Sequence, residues 1–136
     1  MSPTEVRSSA PGKVILFGEH AVVYGRPAIA APVTQVKATA VVRPALVGSG
    51  LTLVAGDLKK QIALATAPED EPLAVAARLT LAHLKAREPD ATVTIRSTIP
   101  IASGLGSGAA VSTALVRALA GFLGHKLPPA EVSRLV

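Results

Sequence analysis

A glycine-rich run from Ser103 to Ala110 has the composition of a loop that binds an anion. Three glycines fall within five residues of this run, and glycine lets the backbone adopt positive φ and approach a ligand without a Cβ clash. Consecutive amides in such a turn form an anion-binding concavity. A helix beginning near Ser107 adds free N–H groups and the positive end of its dipole. The two serine hydroxyls can donate to phosphate oxygens or contact a metal ion.

The same run has a second interpretation, a turn that packs closely on a neighbouring strand, because a glycine motif alone is weak evidence. The run lacks the Gly-Lys-Ser/Thr ending of a Walker A sequence and the spacing of a dinucleotide fingerprint. It is therefore a phosphate-loop candidate of another kind, and both interpretations stay open at this point.

A second segment that can do chemistry lies near the amino terminus. Lys13 precedes an apolar strand over 14–17, and the polar pair Glu19 and His20 follows Gly18. An acid and an imidazole at a strand end can hydrogen-bond a polyhydroxylated substrate. The alternative is a surface ion pair, and spacing alone does not decide between them.

A mixed set of strands and helices must position these two segments. The patterns predict extended chain over 6–23 with a sharp bend at Pro11–Gly12, strands over 36–42, 51–54 and 93–99, and helices over 69–88, 107–123 and from 128. Turns are expected at 25–27 and 47–50, and Gly124 is a predicted helix stop. The fold class expected is α+β, a mostly β first half followed by helices on one face of the sheet.

Composition limits the classes of protein. The 136 residues fit one domain, and with 49% apolar but only 2% aromatic residues the core must be built from Ala, Val, Leu and Ile. The absence of cysteine excludes a disulfide scaffold and a thiolate metal site, and it suits a cytoplasmic protein. The longest apolar stretch, 21–33, is interrupted by Arg26 and two prolines, so no membrane segment is predicted.

The net charge of +5 comes from cations that are scattered along the chain. The pair Lys59–Lys60 has no neighbouring aromatic residue on which a base can stack. We interpret most cations as a solvated basic surface that helps to attract an anionic substrate, and we predict no nucleic-acid partner.

Together the two segments resemble the GHMP small-molecule kinases. Residues 11–20 match the first motif of that family and residues 100–110 match the second, in order and at the expected separation. Residues 18–25, followed by 27–30, are similar to the mevalonate kinase branch. Galactokinases continue with a Thr-Asp run after the Glu-His pair, and phosphomevalonate kinases tend to have Tyr in place of His. The resemblance implies that residues 1–136 form the ribosomal protein S5 domain 2-like, amino-terminal ATP-binding domain of these kinases.

The resemblance also implies ATP and Mg²⁺ as cofactors, mevalonate as substrate, and mevalonate 5-phosphate and ADP as products. It places Lys13 near the reacting phosphoryl group as a catalytic residue, and Glu19 and His20 in the mevalonate pocket. The implied ATP phosphate-binding residues are Ser103, Gly104, Leu105, Gly106, Ser107, Gly108, Ala109 and Ala110. The second serine of the usual Gly-Leu-Gly-Ser-Ser-Ala-Ala motif, which commonly ligates Mg²⁺ in the family, is Gly108 here. The resemblance then leaves three alternatives: Ser107 takes the role of metal ligand, a water molecule replaces the ligand, or the metal binds more weakly.

In this family the catalytic Asp, the metal-binding Glu and a third glycine-rich motif belong downstream of residue 136. The chain is therefore expected to be an incomplete, truncated form without the carboxy-terminal domain, inactive by itself and prone to associate. The resemblance is compatible with a homodimer. Two alternatives remain: another GHMP kinase acting on phosphomevalonate or a sugar, and a non-catalytic nucleotide- or RNA-binding S5-like module.

A few further polar residues are given structural interpretations. His83 and His125 are expected on helix surfaces or ends, Lys59–Lys60 in a solvated turn, Asp57 and Asp90 in solvated turns, and Tyr24 either in the substrate pocket or packed at the Gly25 turn.

Overall fold

The computed structural model describes residues 5–17, 29–56, 60–98 and 107–135. Its strands are β1 (Val6–Phe17), β2 (Ile29–Pro44), β3 (Leu51–Ala55), β4 (Lys60–Ala63) and β5 (Ala91–Ser97). Its helices are α1 (Pro72–Leu84), α2 (Ser107–Phe122) and α3 (Pro129–Leu135), and a 3₁₀ turn (Leu64–Thr66) follows β4. No helix among these residues is both long and apolar enough to cross a membrane.

Within the described residues the strands form one mixed sheet in the order β1-β2-β5-β3-β4. Antiparallel pairing joins β1 to β2, β2 to β5 and β3 to β4, whereas β3 and β5 are parallel. Helix α2 packs on β1, β2 and β5, and α1 packs on α2. The predicted α+β class, with helices on one face of the sheet, is confirmed.

Strand β2 shows how the two faces of the sheet differ. Ala38, Ala40 and Val42 are fully buried beneath the helices, while the alternating residues between them face the other way, as the side-chain period of two requires. The predicted alternation over 36–42 is therefore confirmed. The strand is longer than predicted, because pairing with β1 continues back to Ile29.

The core is made of small and branched aliphatic side chains, as the composition requires. Alanine is frequent on both the helices and the strands, which lets α2 lie close to the sheet. The fully enclosed larger side chains are Leu51, Leu53, Leu115, Leu119, Val42, Val93, Val116 and Thr80. The buried Thr80 hydroxyl donates to the Ala76 carbonyl at 2.7 Å, so its polar group is satisfied.

The bend predicted at Pro11–Gly12 coincides with a break in the regular pairing of β1, which continues through both residues. Pro11 pairs with Lys37 and the next residue, Gly12, pairs with Val33. The partner strand thus accommodates extra residues as an irregularity in register, as a β-bulge does. The proline and glycine therefore mark a local shift in pairing, the kind of irregularity at which a strand bends.

The solvated turn predicted for Lys59–Lys60 is wrong for Lys60, which begins β4. This strand pairs with β3 and places Ile62 opposite Leu53, burying Ile62. A four-residue strand with one buried side chain has too short a pattern to be recognised before the pairing is known. Lys59 and Asp57 lie outside the described residues.

Asp90 is wrongly predicted as simply solvated, because its carboxylate holds the β2–β3 turn. Its Oδ1 accepts the N–H of Gly50 at 2.8 Å, and the backbone amides of Gly48 and Gly50 hold the pKa of the Asp90 carboxyl below its ordinary value. Gly50 has a φ of +72°, which side-chain-bearing residues adopt with difficulty. The turn predicted over 47–50 is confirmed, and a carboxylate from the start of β5 fixes it.

The helix ends follow their sequence signals in part. Helix α1 has Pro72 as its first residue, as the predicted start signal requires. It ends at Leu84, before the predicted end at residue 88, and Lys85 caps it in the left-handed region at φ 53°. Gly124 has a φ of +84° after α2, as predicted for a helix stop. Arg78 differs from the solvated cation expected, because its guanidinium donates to the carbonyls of Leu64 and Ala67 at 2.9 and 2.8 Å.

Candidate functional site

Strands β1 and β5 lead to the same end of the sheet. Both pair with β2 in antiparallel fashion, so they run in the same direction. Ala38 of β2 lies opposite Ala10 of β1 and opposite Ser97 at the end of β5. Beyond this shared part of the sheet, β1 continues through Lys13. The chain leaves the end of β5 at Ser97 in the same direction.

Helix α2 returns along the sheet in the opposite direction. Near its carboxyl end, Gly121 packs on Val6 at the start of β1, where an added Cβ would approach Val6 Cγ1 at 3.1 Å. Since the carboxyl end of α2 lies over the start of β1, its amino end lies toward the end of the sheet where β5 finishes and β1 runs on to Lys13. The fold thus brings the first turn of α2 and the Lys13 strand to one end of the molecule.

The first turn of α2 has the space that an anion needs. Gly108 is exposed, and among the described residues a Cβ built on it meets no atom outside its own helical turn within 4 Å. Ala110, two residues on, is buried and anchors the turn to the core. The first four N–H groups of a helix have no partner within the helix, and no acidic side chain in this turn repels an anion. These residues are chemically compatible with an anion such as a phosphate group, and their binding of a nucleotide stays a prediction.

Some of the predicted site residues lie among the described residues, and the others do not. The backbone of Lys13 lies in β1 opposite Pro32, and Ser107, Gly108, Ala109 and Ala110 form the first turn of α2. Ser103, Gly104, Leu105, Gly106, Glu19, His20 and Tyr24 lie outside the described residues. Their roles stay predictions.

A magnesium site is not supplied by the described residues. Among them, no group of three or more His, Cys, Asp or Glu side chains could hold a metal ion, and the first turn of α2 carries no acid. Mg²⁺ prefers carboxylate, phosphate and water oxygens. The described part of the chain fits the phosphates of a nucleotide but not the metal by itself.

Two cations near this end of the sheet escaped the sequence interpretation. The backbone N–H of Lys37 donates to the Thr98 hydroxyl at 2.9 Å, which ties Lys37 to the chain just after β5. Arg96 lies in register with Thr39, one strand across. Both side chains are exposed. Alternation predicts that they face solvent, but only the register shows that they are neighbours.

The two histidines have the structural positions predicted for them. His83 is half-exposed on α1, and its Nε2 lies 3.0 Å from Oε2 of Glu131 on α3, so this pair connects the two helices. His125 is exposed just after α2, and its backbone N–H donates to the carbonyl of Ala120 at 2.8 Å. Neither belongs to the candidate site.

Comparison with known proteins identifies the family. Residues 72–136, which include α1, β5 and the α2 turn, match the family described as "GHMP kinases N terminal domain". The chain belongs to the GHMP kinases. It is 37% identical over 142 residues to the mevalonate kinase of Thermococcus sibiricus, covering 96% of this chain and 43% of that protein. This GHMP kinase chain therefore spans less than half the length of the curated relatives that it matches.

Solved structures agree with this assignment. The mevalonate kinase of Methanococcus jannaschii superposes with a TM-score of 0.75 at 30% identity, covering 96% of this chain and 44% of that one. A galactokinase of Lactococcus lactis, solved with galactose, superposes with a TM-score of 0.80 at 19% identity, over 98% of this chain and 37% of its own. The second likeness shows the shared fold of the GHMP kinases.

Proposed function

We propose that this protein transfers the γ-phosphoryl group of ATP to mevalonate. The observation that carries the proposal is the meeting of the open first turn of α2 with the end of the sheet to which the Lys13 strand leads. The similarity to mevalonate kinases along nearly the whole chain supports the choice of substrate. The sequence prediction of a cytoplasmic enzyme remains part of the proposal.

The ATP phosphates are proposed to bind across the glycine-rich run, Ser103 to Ala110. The free amides of α2 donate to phosphate oxygens, and the helix dipole adds positive potential at that point. Gly108 leaves room beside these amides, since no atom lies within 4 Å of the position of a Cβ. A buried Ala110 keeps the turn in place while the ligand binds.

Lys13 is proposed to act at the reacting centre. In the transfer, an oxygen–phosphorus bond forms between the mevalonate hydroxyl and the γ-phosphorus, and the bond from that phosphorus to ADP breaks. The ammonium of Lys13 stabilises the charge on the transferring group, which is the main task of the protein in phosphoryl transfer. Glu19 and His20 are proposed to bind mevalonate and hold its hydroxyl in line. The hydroxyl proton goes to a base supplied by other residues.

Mg²⁺ neutralises phosphate charge when it accompanies ATP. Ser107 is our proposed protein ligand, and the carboxylates that such a site needs must come from outside the described residues. No step above depends on a metal position, because the described residues do not define one.

The proposal is tested by ADP release from the complete protein with mevalonate, phosphomevalonate and galactose as acceptors. We expect mevalonate to give the highest kcat/KM. The variant Lys13→Met should lower kcat by about 100- to 1000-fold, the effect typical of losing one preorganised electrostatic contact. The matched control is Lys126→Met, which removes an exposed lysine from the loop between α2 and α3 and should leave kcat unchanged.

Two results would contradict different parts of the proposal. A higher kcat/KM for phosphomevalonate or galactose would reject mevalonate as the substrate and keep the kinase. Full activity of the Lys13 variant would reject the catalytic role of that residue. Equal losses of kcat in the Lys13 and Lys126 variants would show that the loss of one positive charge, and not of a specific contact of Lys13, lowers kcat.

A further inference from the structure

The face of the sheet opposite the helices carries a basic concavity of about 370 Å³. It is formed by alternate residues of β1, β2 and β5. The residues that line it are Arg7, Ser9, Lys37, Thr39, Val41, Arg43, Thr94 and Arg96. Four of these are cations that stand far apart in the sequence, so the scattered charges of the chain become a cluster only in the fold.

The register explains why an open sheet face is concave here. Thr39 lies between Ser9 and Arg96, and the next same-face row on β2 has Val41 between Arg7 and Thr94. Short side chains therefore form the floor, of which Thr39, Val41 and Thr94 are half-buried and Ser9 is exposed, and long cationic side chains stand around it. The Cα atoms of Arg7 and Arg96 are roughly 12 Å apart, two strands and one same-face step, by standard sheet spacings.

The charge of this concavity is unbalanced. Arg43 is paired, because its Nε donates to Oε2 of Glu5 at 2.7 Å. None of the described residues that line the concavity is an acid. Glu5 also interacts electrostatically with Arg7, which leaves Lys37 and Arg96 as the cations that no acid in this lining offsets. Hydroxyls add further donors to the floor, where Ser9 Oγ and Thr39 Oγ1 lie 3.1 Å apart and share a hydrogen bond.

We propose that this concavity, the basic sheet-face site, binds a small polyphosphate anion. Guanidinium groups match phosphate oxygens in bidentate geometry, and cations on several sides of one floor suit an anion that carries several negative groups. The volume falls at the lower end of the range for small-molecule sites. The site lies on the face away from α2, and so it is separate from the proposed ATP loop.

Larger partners fit these observations less well. A nucleic-acid strand is usually held by a basic track with aromatic platforms for its bases, and none of the residues that line this concavity is aromatic. A second copy of the chain would present the same cations, which repel each other. The short floor and the surrounding cations favour a compact ligand.

The test uses inorganic tripolyphosphate as the probe, titrated calorimetrically into the protein at low salt without metal. Tripolyphosphate can also occupy the proposed ATP loop, so we expect up to two saturable sites per protein, and the one at the basic sheet-face site is the binding compared below. The double variant R7A/R96A should weaken binding by roughly tenfold or more, since two charge-assisted contacts are lost. The control R87A/K126A removes the same net charge from exposed loop positions and should change the affinity by less than about twofold.

A second variant tests the floor without changing the charge. Thr39→Val keeps the shape of the side chain and removes the hydroxyl that faces Ser9. We expect binding to weaken by about threefold or more, as for the loss of one hydrogen-bond donor to an anion. ATP turnover should be unchanged in this variant, so failure of the basic sheet-face site is distinguishable from failure of the kinase proposal.

Three outcomes would overturn the proposal. These are the absence of any binding beyond the ATP loop, equal weakening in both double variants, and unchanged binding in both R7A/R96A and Thr39→Val. A short RNA or an acidic peptide is titrated in parallel. If one of these binds and tripolyphosphate does not, the face serves a macromolecular partner and our assignment is wrong.

Discussion

The two ends of helix α2 use glycine in opposite ways. At the amino end Gly108 is exposed, with no atom within 4 Å of where a Cβ would stand. At the carboxyl end Gly121 lies against Val6, and an added Cβ would approach Val6 Cγ1 at 3.1 Å. The same residue type therefore leaves space for a ligand at one end and permits close packing at the other.

Burial along the helix follows the same division. Residues 114–120 are buried apart from the exposed Arg117, whereas 108–113 are exposed or half-buried except for Ala110. The carboxyl half thus contributes mainly to stability, and the amino half is available for binding. Changes at the two ends should accordingly affect different measurements.

The largest effect is expected from Leu119→Ala in the buried half. Leu119 is fully enclosed, and removing such a side chain costs about 2–5 kcal/mol of unfolding free energy through lost burial and the cavity left behind. Urea denaturation measures the change. The KM for ATP should stay within about twofold, because this half of α2 is proposed to hold no ligand.

The matched control for this variant is Leu79→Ala. Leu79 is also a helical leucine, but it is 46% exposed on α1, so its truncation should cost no more than about 0.5 kcal/mol. A similar loss of unfolding free energy in both variants would show that the buried Leu119 stabilises the fold no more than the exposed Leu79 does. A large rise in the KM for ATP in the Leu119 variant would contradict the division of α2 into a stabilising carboxyl half and a ligand-binding amino half.

A smaller effect is expected from Gly121→Val. The added Cβ would approach Val6 Cγ1 at 3.1 Å, so Val6 must shift to make space, and overpacking of this kind costs about 1–3 kcal/mol of unfolding free energy. Denaturation with urea again gives the change. The compensating variant Val6→Ala should recover part of the loss when the two are combined, because it removes the atoms that clash.

Recovery by Val6→Ala is the decisive outcome of that experiment. If the double variant loses at least as much unfolding free energy as the two single variants together, the contact between α2 and β1 is not the cause of the loss. If Gly121→Val alone is neutral, the carboxyl end of α2 is less tightly packed than its geometry indicates.

Much of the fold was predictable because its signals are local. The helical spacing and the proline of α1, the stop at Gly124 and the alternation in β2 each depend on neighbouring residues, and each is confirmed. The α+β class follows from the same patterns. Two glycine-rich and polar motifs were enough to indicate the GHMP kinase family.

The features that were missed depend on contacts between distant residues. The irregular pairing at Pro11–Gly12 and the strand at Lys60 arise from the partner strand. Asp90 binds an amide 40 residues away in the chain. The basic sheet-face site joins β1, β2 and β5 through their register, which no local pattern encodes. For the candidate site, the sequence named the turn of α2, but its open space beside Gly108 required the fold.

The smallest effect is expected at Gly108, the open end of the comparison. Gly108→Ser restores the usual second serine of the family motif in a space with no atom within 4 Å. We expect unfolding free energy to rise by a few tenths of a kcal/mol, up to about 0.5, because serine favours helix over glycine. If the restored hydroxyl reaches the metal as in the family, half-maximal ADP release should need severalfold less Mg²⁺.

The control Gly108→Ala fills the same space without a hydroxyl. It should give an equal or larger gain in unfolding free energy, since alanine has the higher helix propensity, and it should leave the Mg²⁺ requirement unchanged. The difference between the two variants therefore isolates the hydroxyl from the backbone effect. An equal shift in Mg²⁺ requirement with alanine would assign the change to helix stability, and a loss of activity in both would mean that the ligand needs glycine itself at this end of α2.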